Sequence, residues 1–337
     1  MSPENSSGVT RTGAWLAGGH APADPVAEAS TRRSRKPPNR RATIRRYVYI
    51  YAWLMVPLTL LMVFWLYPLF DMVRLSLTNL NALNFNFPQW VGFANFEHAL
   101  KSPVFWQAVR NTGEYMAIKL PVEVPLALLV AALSARIRRA RSAFLAAYFL
   151  PVVVSLTAIS LLFLYLYSPT NGPLNGILQA LGLGPLAYLN STSQALPSIE
   201  AIDIWHSLGY AMVLLLAALQ SVPSELVEAA QVDGAGRWNM FARITLPLIL
   251  PILGVVIIND VTSEMQLFAP IFVMTGATQS PGGPLHSTLN LITYTYNVSF
   301  REYALGYGSA LSLIIFVVNL LLTLLVLKVS RTNRLWQ

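Results

Sequence analysis

The chain of 337 residues contains no cysteine, which excludes a disulfide framework, a thiolate metal site and a cysteine nucleophile. Charge is also scarce. Only 11% of residues are Asp, Glu, Lys or Arg, against roughly 25% in a soluble globular domain. Four histidines leave little for a catalytic or metal centre, and there is no HExxH, GxSxG or GxxxxGK[ST] pattern. What fills the chain instead is apolar: 55% hydrophobic residues and a mean hydropathy of +0.52. The apolar runs approach the ~20 residues that a hydrocarbon core of roughly 30 Å requires. Bilayer, not water, is the expected solvent.

Six segments read as membrane helices, near 47–73, 112–134, 143–167, 198–220, 246–274 and 306–328. The expected fold is therefore an all-α membrane protein with six transmembrane helices. Residues 1–46 form a polar tail rich in Arg, Ser and Pro with no apolar face, and are expected to be a disordered cytoplasmic anchor beside anionic lipid. Arg32 and Arg33 do not mark an export signal, because the apolar stretch that follows is too long and lacks a small-residue cleavage site. The net charge of +8 lies mostly outside the apolar segments, so no nucleic-acid partner is implied. Lys and Arg crowd the tail, the 134–142 loop, the 221–247 loop and the 331–337 end. By the positive-inside rule both termini are cytoplasmic. The loop between the third and fourth segments carries turn residues on each side of NGILQALGL, which predicts a short interfacial helix there. Asn190-Ser-Thr fits a glycosylation acceptor but is too short a match to carry weight.

The cytoplasmic loop 221–247 is far longer than a helix hairpin needs. ELVEAAQV is a good helix former behind Ser221, Pro223 and Ser224, Asp233-Gly234 breaks it, and a second helix follows from about Gly236 to Arg243. Such a module exposes acidic side chains beside small Ala229 and Ala230. From composition alone it is either a docking element for another protein or an ordinary amphipathic connector.

Glu228-Ala229-Ala230, Asp233-Gly234-Ala235, Phe241 and Ile244-Thr245-Leu246-Pro247 resemble the EAA loop of ABC importer permeases, in its carbohydrate-type form. The likeness extends from about residue 47 to the end, through Ser76-Leu77, the Gly92–Phe96 run, Asn111-Thr112, Phe149-Leu150-Pro151, Trp205, Thr275-Gly276, Gly282-Gly283-Pro284, Thr288-Leu289, Tyr296 and Gly306-Tyr307-Gly308. One departure is ATQSPGG, which spaces Thr275-Gly276 from Gly282 more widely than usual. The resemblance implies a type I importer permease domain over 47–330 in a bacterial cytoplasmic (inner) membrane, multi-pass, carrying a sugar or sugar-like solute. It implies coupling through Glu228, Ala229, Ala230, Asp233 and Gly234 to two copies of an ATP-binding subunit, which hold ATP and Mg. A second, non-identical permease subunit and an extracytoplasmic solute-binding protein complete the set. The chain itself needs no cofactor and is not an enzyme.

Ionisable groups inside membrane helices are costly and usually face an interior. Asp260 and Glu264 lie four apart on the fifth helix and share a face, with Ser263 and Leu267 nearby. Carboxylates so placed suit sugar hydroxyls, and the resemblance also puts this stretch on the solute path. Structural pairing with a basic group stays open for both. On the fourth helix, Ser207 and Tyr210 share a face and are candidate solute contacts, the ring covering apolar sugar C–H groups. Asp203 and His206 are read as solvated near the outer end, Trp205 as an interfacial residue, and Lys119 with Glu123 as a mutual ion pair. The rival function is a proton-coupled secondary transporter using Asp260 or Glu264 as a relay, which would not need the structured loop.

Overall fold

The computed structural model describes residues 40–83, 87–135, 137, 139–276 and 281–332. The first 39 residues, to which most of the tail reading applies, lie outside the described residues, as does the end beyond 332. The chain divides into two units, residues 1–63 and 64–337. In the first, helix α1 spans Arg40–Leu61, starting seven residues before the apolar segment. Every side chain from Tyr47 to Val63 is exposed. An aromatic and aliphatic surface of that kind belongs against lipid or another subunit. Thr59 Oγ1 donates to the Met55 carbonyl, an i−4 back-bond beside Pro57, whose ring cannot donate.

The regular elements of the second unit are helices, apart from an isolated antiparallel bridge between Thr78 and Trp90. The unit runs α2 (Tyr67–Ser76), α3 (Ala94–Lys101), α4 (Pro103–Ser134), α5 (Arg141–Val153), α6 (Leu156–Leu166), α7 (Pro173–Ala180) and α8 (Ala195–Gln220). Then follow α9 (Ser224–Val232), α10 (Arg237–Met240), α11 (Leu246–Met265), α12 (Ala269–Ile271), α13 (Leu291–Tyr296) and α14 (Leu305–Thr332). Among the described residues, five helical stretches are long and apolar enough to cross a membrane, and six if a bent pair counts as one.

That pair is α5 and α6, and here the expected single span of 143–167 is corrected. The two helices meet at 91°. Val154 and Ser155 are extended (ψ 139° and 125°). Pro151 removes one ladder donor, and three consecutive β-branched valines follow it, so the next turn is easily lost. The carbonyl of Val154 is met by His206 Nε2 at 3.2 Å. Just before the bend, α8 approaches so closely that a Cβ on Gly209 would overlap the Tyr148 carbonyl. The helix α7 forms where NGILQALGL predicts it.

A second departure is α13. The stretch 291–301 reads as external loop in the sequence, yet it is a buried helix continued by a π-helical turn over Asn297–Arg301. Asn290 caps it, its side chain accepting from Thr293 N at 3.0 Å. Asn111 Nδ2 donates to the carbonyls of His286 and Leu289, both at 2.8 Å, and Leu291 N donates to Thr112 Oγ1 at 3.1 Å. The Asn111-Thr112 pair thus fastens the 286–291 segment onto α4. Asn95 Nδ2 does the same for the end of α2, donating to the carbonyls of Ser76 and Thr78 at 2.7 and 2.8 Å.

Candidate functional site

Two interrupted helices build the central site. One break is the α5–α6 bend. The other is Gln266–Phe268, between α11 and α12, where Asn290 Nδ2 donates to the freed Leu267 carbonyl at 2.6 Å. Irregular backbone at membrane depth is tolerated where protein satisfies it or where it lines a cavity. Here it does both. A cavity of about 490 Å³ lies between the breaks, walled by Val152 and Leu156 on one side and Gln266, Leu267 and Phe268 on the other. Its polar lining comes from Lys119, Asp203, His206, Ser207, Tyr210, Asn259 and Ser263.

Helix periodicity splits the polar residues of α11 between two faces. Asn259 and Ser263 are exposed to the cavity side. Asp260 and Glu264 do share a face, but it turns inward: they are 2% and 0% exposed and neither lines the cavity. Glu264 Oε1 accepts from Lys119 Nζ at 2.7 Å. Of the other candidates, Ser207, Tyr210, Ser263 and Leu267 all sit in the cavity wall.

Lys119 is the centre of the buried network. Its Nζ donates to Asp203 Oδ2 and Glu264 Oε1, and it stands 3.6 Å from Glu123 Oε2. The expected Lys119–Glu123 pair is therefore the longest of three. The reading of Asp203 as a solvated outer residue is overturned, since it is 5% exposed and held by Lys119. The physical reason is register: Asp203 falls on the α8 face that packs against α4, not on the rim. Ser207 joins cavity and network, its hydroxyl donating to Glu123 Oε2 at 2.8 Å. Glu200, one helical turn before Asp203, was not singled out by the sequence, yet it is fully buried with neither carboxyl oxygen hydrogen-bonded. Its position among ALPSIEAID reads as a helix start at the interface, and only the packing of α4 against α8 reveals otherwise.

A second cavity, about 420 Å³, is lined by Phe268, Tyr296, Phe300, Thr295, Ser299 and Ser312 with their neighbours. Phe268 stacks on Phe272 with ring centroids 5.0 Å apart, and Tyr296 touches Phe268, Phe272 and Phe300. Of this group the sequence marked Tyr296 alone.

The 221–247 loop is a separate site. α9 ends at Val232 with Asp233 as its C-cap, and Gly234 follows with φ +76°, a conformation that favours glycine. Glu228, Ala229, Asp233 and Gly234 are exposed and Ala230 is half-buried. Val232 and Trp238 are 88% and 75% exposed, apolar surface that nothing among the described residues covers.

Residues 123–332 match the family model described as binding-protein-dependent transport system inner membrane component. The chain is 32% identical over 300 residues to the lactose transport system permease protein LacF of Rhizobium radiobacter, covering 87% of this chain and 98% of that one. It is 32% identical over 295 residues to the multiple sugar-binding transport system permease protein MsmF of Streptococcus mutans, covering 86% and 98%. Among solved structures, a chain of a bacterial ABC transporter involved in the import of the acidic polysaccharide alginate superposes with a TM-score of 0.74. That match has 26% identity and covers 86% of this chain and 98% of the other. The broken helices, the cavity between them and the exposed 221–247 loop are thus found in a chain that belongs to the inner-membrane permease components of binding-protein-dependent ABC importers.

Proposed function

We propose that this permease carries a sugar or sugar-like solute through the cavity between the two helix breaks. The observation that carries the proposal is the lining itself: Ser207, Asn259, Ser263 and Gln266 offer hydroxyl and amide groups beside the Tyr210 ring. That mixture reads sugar hydroxyls and covers sugar C–H faces. Relatives named for lactose and for multiple sugars support the class. Contact with solute falls to Ser207, Tyr210, Ser263 and Leu267. Glu264 acts from behind, holding the wall in place through Lys119, and Asp260 lies buried on the same face.

In this reading the chain pairs with a second permease subunit, receives solute from an external binding protein and rests on two ATPase subunits that hold ATP and Mg. α9 and its Gly234 turn, with Glu228, Ala229, Ala230 and Asp233, enter a cleft on one ATPase subunit. Closure of the ATPase dimer on ATP pushes this short rigid unit and swings the bundle from inward- to outward-facing. Both termini are cytoplasmic, as the Lys and Arg distribution requires.

The test is uptake of labelled oligosaccharides by vesicles holding the complete importer and its binding protein. Uptake that requires ATP, resists a protonophore and falls in Ser263→Leu while ATP hydrolysis persists is expected. Uptake that runs without ATP and collapses with protonophore would instead favour a proton-coupled carrier using the intramembrane carboxylates.

A further inference from the structure

The network around Lys119 is out of balance. Among the described residues, five buried carboxyl groups, Glu123, Glu200, Asp203, Asp260 and Glu264, lie within the field of one buried ammonium. A buried charge without compensation is expensive, so positive charge must come from elsewhere. Within the cluster, Glu200, Asp203 and Glu264 stand apart. One carboxylate oxygen from each lies within 4.8 Å of those of the other two, and all three residues are buried. Lys119 occupies Asp203 Oδ2 and Glu264 Oε1, while Glu264 Oε2 and both oxygens of Glu200 have no hydrogen-bond partner.

From this geometry we infer that Glu200, Asp203 and Glu264 form a binding site for a hard, oxygen-seeking cation of the size of Ca²⁺. Both oxygens of Glu200 and Glu264 Oε2 meet no donor among the described residues, and a cation supplies what they lack. Oxygens across an ion with metal–oxygen distances of about 2.3–2.6 Å can stand up to roughly 5 Å apart, and one oxygen from each of the three residues lies within 4.8 Å of the others. An all-oxygen donor set selects this class of ion over softer metals. Glu200 and Asp203 come from one turn of α8 and Glu264 from α11, so a bound ion would clamp those two cavity-lining helices together. Lys119 then acts as the fixed counter-charge on the α4 side.

The experiment uses the assembled importer with the full-length chain in lipid nanodiscs, free of nucleotide, stripped with chelator and titrated with CaCl₂. Retention of radiolabelled Ca²⁺ and the thermal unfolding midpoint are read together. One saturable ion per copy of this chain and a higher midpoint with Ca²⁺ are expected. Glu200→Gln and Glu264→Gln should each weaken retention by at least about tenfold. Absence of saturable retention by the unmodified importer overturns the inference, whatever the variants do. So does undiminished retention in either variant once it is shown to be assembled. In both cases the cluster would be balanced by protons.

Discussion

At the scale of single residues, the decisive one is Lys119, because among the described residues it is the only ammonium reaching Asp203, Glu123 and Glu264. Removing one member of a buried ion network leaves the others uncompensated and costs about 3–5 kcal/mol. Lys119→Ala should therefore lower the thermal midpoint of the purified importer sharply, or prevent its assembly. Lys119→Ala with Glu264→Gln should recover part of that loss, since one buried carboxylate goes with the ammonium. Equal midpoints for Lys119→Ala and the unmodified importer would show that the network is not structural. Ser207→Ala is a milder probe. It removes the donor to Glu123 Oε2 and should cost about 1–3 kcal/mol by leaving a buried acceptor unmet, readable in the same melting experiment. Residue identity in this region was legible in part. The i, i+4 spacing placed Asp260 and Glu264 on one face, but not which way that face points. Asp203 and Glu200 escaped because their environment is supplied by α4, 84 residues away from Asp203 in its Lys119 contact.

At the scale of elements, the long helices were legible and their breaks were not. Hydropathy averages over a window, and FLAAYFLPVVVSLTAISLLFLYLY is apolar from end to end, so a 91° bend within it leaves no trace in the average. Only Pro151 and the valine run mark it locally, and proline inside a membrane helix more often kinks than breaks it. The buried α13 was hidden for the opposite reason. Its sequence LITYTY alternates polar and apolar residues, and the burial of Thr293 and Thr295 depends on α4 and α14 closing around it. The bend gives a prediction of its own. Gly209 lets α8 lie against the Tyr148 carbonyl, where a Cβ would overlap backbone. Gly209→Val should cost about 1–3 kcal/mol by forcing the helices apart, and it should also widen the cavity between the breaks. Melting of the importer measures the first effect. A cysteine introduced at Ser263, labelled in the presence and absence of Gly209→Val, measures the second, with faster labelling expected.

At the scale of the whole molecule, the proposed function gives different work to two surfaces: a cavity lined by α4, α8 and the broken helices, and an exposed α9 unit followed directly by α10 and α11. The second was the more legible, because docking onto another protein requires local features, namely small side chains, acidic groups and a turn glycine at fixed spacing. A solute cavity is assembled from distant segments and leaves no comparable local pattern. The link between the two is rigid: α10 runs through a π-helical turn, Phe241–Thr245, straight into α11, which carries Asn259 and Ser263 to the cavity wall. In the proposed coupling, a displacement of α9 is passed along the helical stretch 237–265, provided the turn before it keeps its shape. Gly234 sets that shape with φ +76°. Proline, fixed near −65°, does not reach this conformation, whereas alanine reaches it at a cost of about 1–2 kcal/mol. Gly234→Pro should leave the chain inserted and the cavity formed, because no core residue depends on the turn, yet abolish solute uptake. Gly234→Ala should reduce uptake without abolishing it. ATP hydrolysis by the assembled importer then separates the possibilities: hydrolysis that continues in Gly234→Pro but no longer responds to the loaded binding protein is the outcome expected of a broken mechanical link. Normal uptake in that variant would mean that the turn transmits nothing, and that the bundle is driven through another contact.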